Sequence, residues 1–308
     1  MTNDHTTVLL REAIDALVLD ADGAYIDGTF GRGGHSAAIL QKLSGRGALL
    51  AIDKDPDAIA AGRDRFVDDR RITFTHDSFA NVGRSDMGVQ SGGVSGILLD
   101  LGVSSPQLEN AGRGFSFMRD GPLDMRMDST RGPSASEWLR TAQESEIATV
   151  IKRYGEERYG RRIAAAIVRE RAIASIESTT RLAGIVAAAH PSWERGRHPA
   201  TKSFQAIRIH INQELEDLDS FLNQVIDVLK IGGRLVIISF HSLEDRRVKR
   251  FIRTQQRGIA IPKYLPIADH DKGIRLVGVG SATKPSDDEV AANIRSRSAV
   301  MRVAERVA

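Results

Sequence analysis

Residues 27–35 read Asp27-Gly28-Thr29-Phe30-Gly31-Arg32-Gly33-Gly34-His35 and lie between an apolar run ending at Tyr25-Ile26-Asp27 and a segment with helical spacing at Ala38, Ile39 and Leu43. Glycines at such a junction let the backbone turn tightly and approach a ligand with no Cβ in the way. The helix N-terminus beyond offers free N–H groups to the anionic parts of that ligand. The spacing is not a full G-x-G-x-x-G, because Ser36 holds the last position, so the turn alone is a weak signal. Asp53 strengthens it. It stands 20 residues past Gly33 at the end of a second apolar run, Ala48 to Ile52, where a carboxylate accepts hydrogen bonds from both hydroxyls of a ribose. Asp77-Ser78-Phe79 follows a third run, Ile72-Thr73-Phe74, and Asp100 ends a fourth, Gly96-Ile97-Leu98-Leu99. Ligands of open α/β sheets bind at the carboxyl ends of the strands, so the four segments converge on one crevice.

Each residue also has a plainer use. Asp53 can serve the helix entry at Asp55-Pro56, an N-cap followed by proline at the first helical position. Asp53, Asp55 and Asp57 alternate through a turn, and such residues cap helices more often than they hold metal, so no metal site is expected. Phe79 suits a core equally well. Asp100 is harder to explain structurally, because an unpaired buried carboxylate is costly. His241 follows a later apolar strand, Leu235 to Phe240, and can face the same crevice. An imidazole there is suited to general-base work near neutral pH, although a histidine at a strand end is often structural and Glu244 can cap the next helix with Ser242. Asp100 and His241 are the catalytic candidates.

The elements that must position these groups alternate strand and helix over the first hundred residues. That rhythm argues for an α/β fold with a doubly wound, Rossmann-like sheet. After Asp100 it changes: residues 105–135 are rich in Gly, Pro, Asp, Arg and Met without a period, and Ser134 to Ile211 is helical throughout. One long amphipathic helix is expected from Ile211 to Leu229, with Leu215, Leu218, Leu222, Val225, Ile226 and Leu229 on its apolar stripe and Gly232-Gly233 at its end. The sheet then resumes. An all-helical domain, 105–211, is therefore expected inside a sheet domain made of 1–104 and 212–308. Short runs at Ile274 to Val279 and Ala299 to Val303 suit a closing antiparallel pair.

Composition removes several classes. The 308 residues contain no cysteine, which excludes disulfides, thiolate zinc sites, iron–sulfur clusters and a cysteine nucleophile. No run of about 18 uncharged apolar residues suggests a membrane span, and Met1 to His5 shows neither half of an export signal. A cytoplasmic enzyme is expected. Residues 105–211 hold 17 Lys/Arg against 12 Asp/Glu, and the remainder 26 against 28, so the basic excess sits in the helical insert. There Lys152, Arg153, Arg158, Arg161, Arg162, Arg169 and Arg171 cluster, and Arg195, Arg197, Lys202 and Arg208 follow. Trp138 is a candidate base-stacking residue, and Lys202 and Arg208 are candidate phosphate or base contacts, each set against ordinary packing or solvation. Met118, Met125 and Met127 suit packing better than a pocket. Arg246, Arg247, Lys249, Arg250, Arg253 and Arg257 follow one another after His241, fitting either a solvated helix face or RNA phosphates.

Several longer strings resemble the RsmH (MraW) family: His5-Thr6-Thr7-Val8-Leu9-Leu10, residues 27–35, Asp100-Leu101-Gly102-Val103-Ser104-Ser105-Pro106-Gln107-Leu108, Arg113-Gly114-Phe115-Ser116-Phe117, Pro122 to Asp128, His198 to Ala206, Ser239 to Asp245, and Arg295-Ser296-Arg297-Ser298. The resemblance covers almost the whole chain. It implies an S-adenosylmethionine-dependent methyltransferase sheet with an inserted helical domain, acting on N4 of a decoding-centre cytidine of 16S rRNA, with the small ribosomal subunit as the setting. The cofactor contacts it implies fall on Gly33, Gly34, His35, Asp53, Phe79, Asp100 and Gln107, all present here. Small departures exist, such as Lys202-Ser203, where members often carry Arg-Thr, and a looser match from Lys272 to Gly280. The oligomeric state stays open, a homodimer among the options.

Missing cysteine bears on this chemistry. Methylation at C5 of a pyrimidine usually needs a thiolate attacking C6, and this chain has none. An exocyclic amine attacks a sulfonium methyl directly once it is oriented and its protons are accepted. The rivals are a DNA or protein amine methyltransferase, an NAD(P)-binding oxidoreductase using the same glycine turn and Asp53, and an RNA-binding ribosome assembly factor whose methyltransferase site is vestigial.

Overall fold

Successive side chains of a strand point to opposite faces, and in this chain both faces are apolar. In the computed structural model, which describes residues 7–84, 92–192, 196, 198–258 and 273–308, Ile26, Leu50, Ile52, Ile97, Leu99, Leu235 and Ile237 enter one core cluster. Tyr25, Leu49, Ala51, Leu98, Val236 and Ile238 enter another. A sheet buried on both faces needs helices on both, which is the pattern of parallel strands joined by helical crossovers. Of the residues singled out above, His5, Thr6, Arg195, Arg197 and Lys272 lie outside the described residues.

The chain divides into two compact units, Met1–Gly102 with Leu215–Ala308, and Val103–Glu214. The first contains strands β1 (Ala24–Asp27), β2 (Ala48–Asp53), β3 (Ile72–His76), β4 (Val94–Asp100), β5 (Leu229–Ser239), β6 (Leu276–Gly278) and β7 (Val300–Arg306). They form one sheet in the order β3-β2-β1-β4-β5-β7-β6. Strands β1 to β5 are parallel, and β7 runs antiparallel to both β5 and β6. Helices α1 (Leu10–Leu17), α2 (Gly34–Lys42) and α3 (Pro56–Arg65) supply residues to the Tyr25 side. The Ile26 side is covered by Leu218, Phe221, Leu222, Val225 and Ile226, and by Val248 and Ile252. The order reverses between β1 and β4. From β1 the chain winds outward through β2 and β3, then returns to β4 and β5 on the other side, so the loops at the carboxyl ends of β1 and β4 diverge and leave a crevice.

The second unit contains α4 (Ser105–Glu109), α5 (Ala135–Thr141), α6 (Glu144–Gly155), α7 (Gly160–Ile173), α8 (Thr179–Ala189) and α9 (Ala200–Asn212). Its aperiodic stretch is pinned by Asn212, whose Oδ1 accepts the Met127 N–H at 2.6 Å and whose Nδ2 donates to the carbonyls of Met125 at 2.7 Å and Arg208 at 2.9 Å. Met125 is fully buried and Met118 exposed. Helix α10 (Glu214–Val228) then leads back to the sheet, and α11 (Ser242–Arg257) and α12 (Asp287–Ala292) complete the helices of the described residues.

Two sequence expectations need correction. The helix expected from Ile211 to Leu229 is two, because Gln213 adopts a left-handed conformation at φ 53° between α9 and α10, while the side chain of Asn212 is engaged with the loop. Gly232-Gly233 does not end a helix: α10 stops at Val228 and β5 begins at once with Leu229. A Cβ on Gly233 would stand 2.9 Å from the Val94 carbonyl oxygen, so that glycine serves the irregular pairing of β5 with β4 near Val94 and Gly96.

Phe221 is fully buried and meets Phe79 edge-on, ring centres 5.8 Å apart. Truncating a buried phenylalanine costs about 3–5 kcal/mol. Phe221→Ala is expected to lower the urea midpoint of the far-ultraviolet circular dichroism transition accordingly, and a shift worth under about 1 kcal/mol would mean the Ile26-side core is not the cooperative one.

Candidate active site

The turn after β1 is stitched to the strands on either side of it. Asp27 is fully buried; its Oδ1 accepts the Thr29 N–H at 3.2 Å and its Oδ2 the Ser36 hydroxyl of α2 at 2.6 Å. The Gly28 N–H donates to Leu98 O at 2.9 Å, and Thr29 Oγ1 accepts the Asp100 N–H at 2.6 Å, both ties to β4. Toward β2, Phe30 N–H donates to Ile52 O at 3.0 Å and Gly31 N–H to Asp53 Oδ2 at 2.7 Å. Gly33 needs its glycine twice over: φ is 71°, and a Cβ would stand 2.6 Å from the Phe30 ring. A Cβ on Gly34 would stand 1.9 Å from Thr7 Oγ1.

Carboxylates end four strands or follow them directly. Asp53 Oδ1 accepts the Asp55 N–H at 2.8 Å, and Asp55 in turn caps α3 through the Asp57 N–H at 3.0 Å. The aspartates around residue 55 are thus a turn and a cap. Asp77 accepts the Ser78 N–H and the Asn81 amide. Phe79, half-buried in a single 3₁₀ segment, packs on Phe221. Asp100 ends β4 with a quarter of its side chain open at the mouth, yet its Oδ1 is covered and has no hydrogen-bond partner among the described residues.

Burial dominates the titration of this set. It pushes Asp27 and Asp53 each up to about 6, against the hydrogen bonds that favour their charged forms. It raises Asp100 well above its ordinary value, helped by the negative charges of Asp27 and Glu244. His35 is buried at the first turn of α2, and burial draws its imidazole down to about 4. Its Nδ1 lies 3.7 Å from Asp100 Oδ2; at neutral pH the ring is uncharged and supplies no cation. Three carboxyls around one glycine turn, Asp27 fully buried and Asp53 and Asp100 part-buried, favour a positive ligand group over an anion.

On the next strand, β5 places His241 immediately before α11. The buried Glu244 folds back so that its Oε2 accepts the Phe240 and His241 N–H groups at 2.9 and 3.3 Å. Glu244 thus caps α11 by holding the backbone at its N-cap, His241. Its Oε1 stands 3.2 Å from His241 Nε2, outside hydrogen-bond alignment, and both ring nitrogens are covered and without a hydrogen-bond partner among the described residues. Asp245 is held by Arg302 of β7 in a two-point contact at 2.6 and 3.0 Å.

The structure thus brings Gly33, Gly34, His35, Asp53, Phe79, Asp100 and His241 into the sheet unit, most of them at strand ends. Gln107 belongs to the helical unit, where it is buried and its Oε1 accepts the Ser104 N–H at 2.9 Å. The substrate candidates of that unit are largely committed internally. Trp138 is buried, donates from Nε1 to Glu146 at 2.8 Å and lies against the His210 ring at 4.6 Å, so its indole has no free face for stacking. Arg208 gives both arms of its fork to Glu214 at 2.8 Å each. Lys202 keeps a partly exposed ammonium 4.0 Å from the buried Glu157. Sequence reasoning passed over Asp27, Ser36 and the backward reach of Glu244. The signal for the first pair was a carboxylate and a hydroxyl nine residues apart across a strand–turn–helix junction.

A model of the MraW methylase family matches residues 2–307. A ribosomal RNA small subunit methyltransferase H from Chromohalobacter salexigens is 56% identical over 98% of this chain and 92% of its own length. One from Marinomonas sp. is 51% identical over 99% and 97%. A solved rRNA methylase from Streptococcus thermophilus aligns with 97% of this chain and 94% of its own at 11% identity, with a TM-score of 0.43.

Asp27 titrates near 6 in the fold and near 3.9 in an unfolded chain. The folded state therefore holds a proton that the unfolded state has released, a contribution complete below about pH 4 and lost as pH rises through about 6. Asp27→Asn keeps a hydrogen-bonding amide but cannot titrate. Between those limits the unfolding free energy of the parent protein is expected to fall more steeply with pH than that of the variant, by up to about 1.4 kcal/mol per pH unit. Parallel urea-denaturation profiles from pH 4 to 7 would show that Asp27 carries no such proton.

Proposed function

We propose, because this chain belongs to the MraW methylase family, that it transfers a methyl group from S-adenosylmethionine to N4 of a decoding-centre cytidine in small-subunit ribosomal RNA. Asp100 carries the reading: a carboxyl at the crevice with one covered oxygen unpartnered, in surroundings that disfavour its charged form unless a positive group stands beside it. When bound, S-adenosylmethionine supplies an electrophilic methyl on a sulfonium and an ammonium at its methionine end. Asp100 is assigned to that cationic end and Asp53 to the ribose hydroxyls, its two oxygens each retaining acceptor capacity beyond the one backbone N–H they already hold. Phe79 and Asp77 at the end of β3 are assigned to the adenine. The same electrostatics disfavours a nicotinamide dinucleotide, whose pyrophosphate would meet Asp27, Asp53 and Asp100 around the turn.

Proton handling falls to His241. The lone pair of a cytosine amine is delocalised into its ring, so the group must be oriented by acceptors and must lose a proton as it is methylated. The buried Glu244 carboxylate stands 3.2 Å from the His241 Nε2. Gln107, Lys202 and the exposed basic residues of the helical unit, Lys152, Arg153, Arg158, Arg161 and Arg162, are assigned to cofactor and RNA by family resemblance and charge. The substrate proposed is the RNA of the small ribosomal subunit.

The deciding experiment is nucleoside mass spectrometry of 16S rRNA from cells with and without this protein. N4-methylated cytidine is expected to disappear in the latter, and its persistence would refute the assignment. Two variants separate the roles. Asp100→Asn is expected to weaken S-adenosylmethionine binding about 10- to 100-fold by titration calorimetry, the range of a charged hydrogen bond. The parent affinity is expected to rise with pH as Asp100 becomes free to ionise. His241→Gln should leave that affinity within about twofold and slow single-turnover methyl transfer at least about 100-fold. A variant with the parental rate would remove His241 from the mechanism.

A further inference from the structure

Helix α11 starts at the crevice, with His241 as its N-cap, and after Glu244 and Asp245 in its first turn it contains no further acidic residue. Arg246, Lys249, Arg250, Arg253 and Arg257 are all exposed. At 100° per residue they occupy one face about 100° wide, and at 1.5 Å per residue they run about 16 Å along it. The opposite face is spent: Leu243, Val248 and Ile252 are buried, the last two in the sheet core. Arg247, off the stripe, is matched to Asp219 at 3.2 Å. Among the described residues Lys249, Arg250, Arg253 and Arg257 have no such carboxylate partner. Like charges at i, i+4 repel one another, and folding alone gives no reason to line up so many.

We propose that this face of α11 is a rail for the sugar–phosphate backbone of the RNA strand beside the target nucleotide, leading it to or from the crevice at His241. The inference rests on the reading of the site as an RNA methyltransferase and adds where the chain continues outside it. Phosphates spaced along a single strand match a linear row of cations, and their neutralisation releases counterions. An anionic membrane would also attract a basic helix, but insertion requires a free apolar face, and that of α11 is inside the core.

The test uses the full-length protein, a fluorescein-labelled single-stranded oligocytidylate and salt between about 50 and 300 mM. In the variant carrying Lys249→Gln, Arg250→Gln, Arg253→Gln and Arg257→Gln, the slope of log Kd against log salt is expected to flatten by between about two and three, four charges at about 0.7 each. KM for small-subunit RNA should rise, with kcat and S-adenosylmethionine affinity unchanged. Exchanging Lys for Arg and Arg for Lys at the same four positions should keep the parental slope. Should the quadruple variant not fold, the pairs 249/250 and 253/257 tested separately are each expected to remove about half of the effect. An unchanged slope and KM in a parent that does methylate RNA would overturn the rail alone, whereas a parent that transfers no methyl to small-subunit RNA would overturn the reading of the site. Stripe-dependent binding to phosphatidylglycerol vesicles with RNA affinity untouched would also overturn the rail.

Discussion

Asp27 is sealed from solvent at the end of β1, on the sheet axis where the strand order reverses. One of its oxygens holds the turn through Thr29 and the other holds α2 through Ser36. Thr29 in turn receives the N–H of Asp100, so a single carboxyl ties the turn, the first crossover helix and the central strand together. Leaving such a group buried without partners would cost several kcal/mol; with two, it fixes the backbone and keeps its acidic character masked. The positions of Asp53 and Asp100 follow, since one is bound to the turn by Gly31 and the other by Thr29.

That arrangement determines the charge of the crevice as well as its shape. The charge of Asp27 raises the cost of ionising both Asp53 and Asp100, and His35, itself buried, is too weak a base to offset it. Such surroundings disfavour the charged forms of these carboxyls. A cationic ligand changes the balance by making the ionised carboxyls favourable, so binding energy is drawn from groups already held in place by the fold. Reading Asp100 as a cofactor contact and reading it as an ordinary strand end differ here: a purely structural carboxyl would be expected to find a partner for Oδ1.

Much of the fold was legible because its signals are local. Buried parallel strands read as apolar runs, and Asp55-Pro56 announces α3 in its own residues. The glycine turn was legible for the same reason, since Gly33 is required by φ and by contact with Phe30 close in sequence. What failed was decided at a distance. The break at Gln213 depends on the engagement of Asn212 with Met125 and Met127, more than eighty residues earlier, and the apolar stripe of α10 runs past it without a mark. Gly232-Gly233 looked like a helix stop because the strand it joins at Val94 cannot be seen locally. Trp138 and Arg208 looked available because burial beneath His210 and pairing with Glu214 are tertiary facts. Glu244 was read as a cap, but that its carboxylate also reaches His241 Nε2 required the fold.

Formal charge misleads in a similar way. By count the helical unit is basic and the sheet unit slightly acidic, yet inside the helical unit Arg171 gives its guanidinium to the carbonyls of Leu139 and Ala142, Arg126 to Asp124, and Arg208 to Glu214. The sheet unit separates its charges instead. Its acids gather at the strand ends, and Lys249, Arg250, Arg253 and Arg257, without a carboxylate partner among the described residues, lie along α11. Opposite fields therefore stand a few helical turns apart on one scaffold, joined at His241. A small cationic cofactor and a polyanionic strand need opposite surroundings at neighbouring places, and a near-neutral total is what their sum would give.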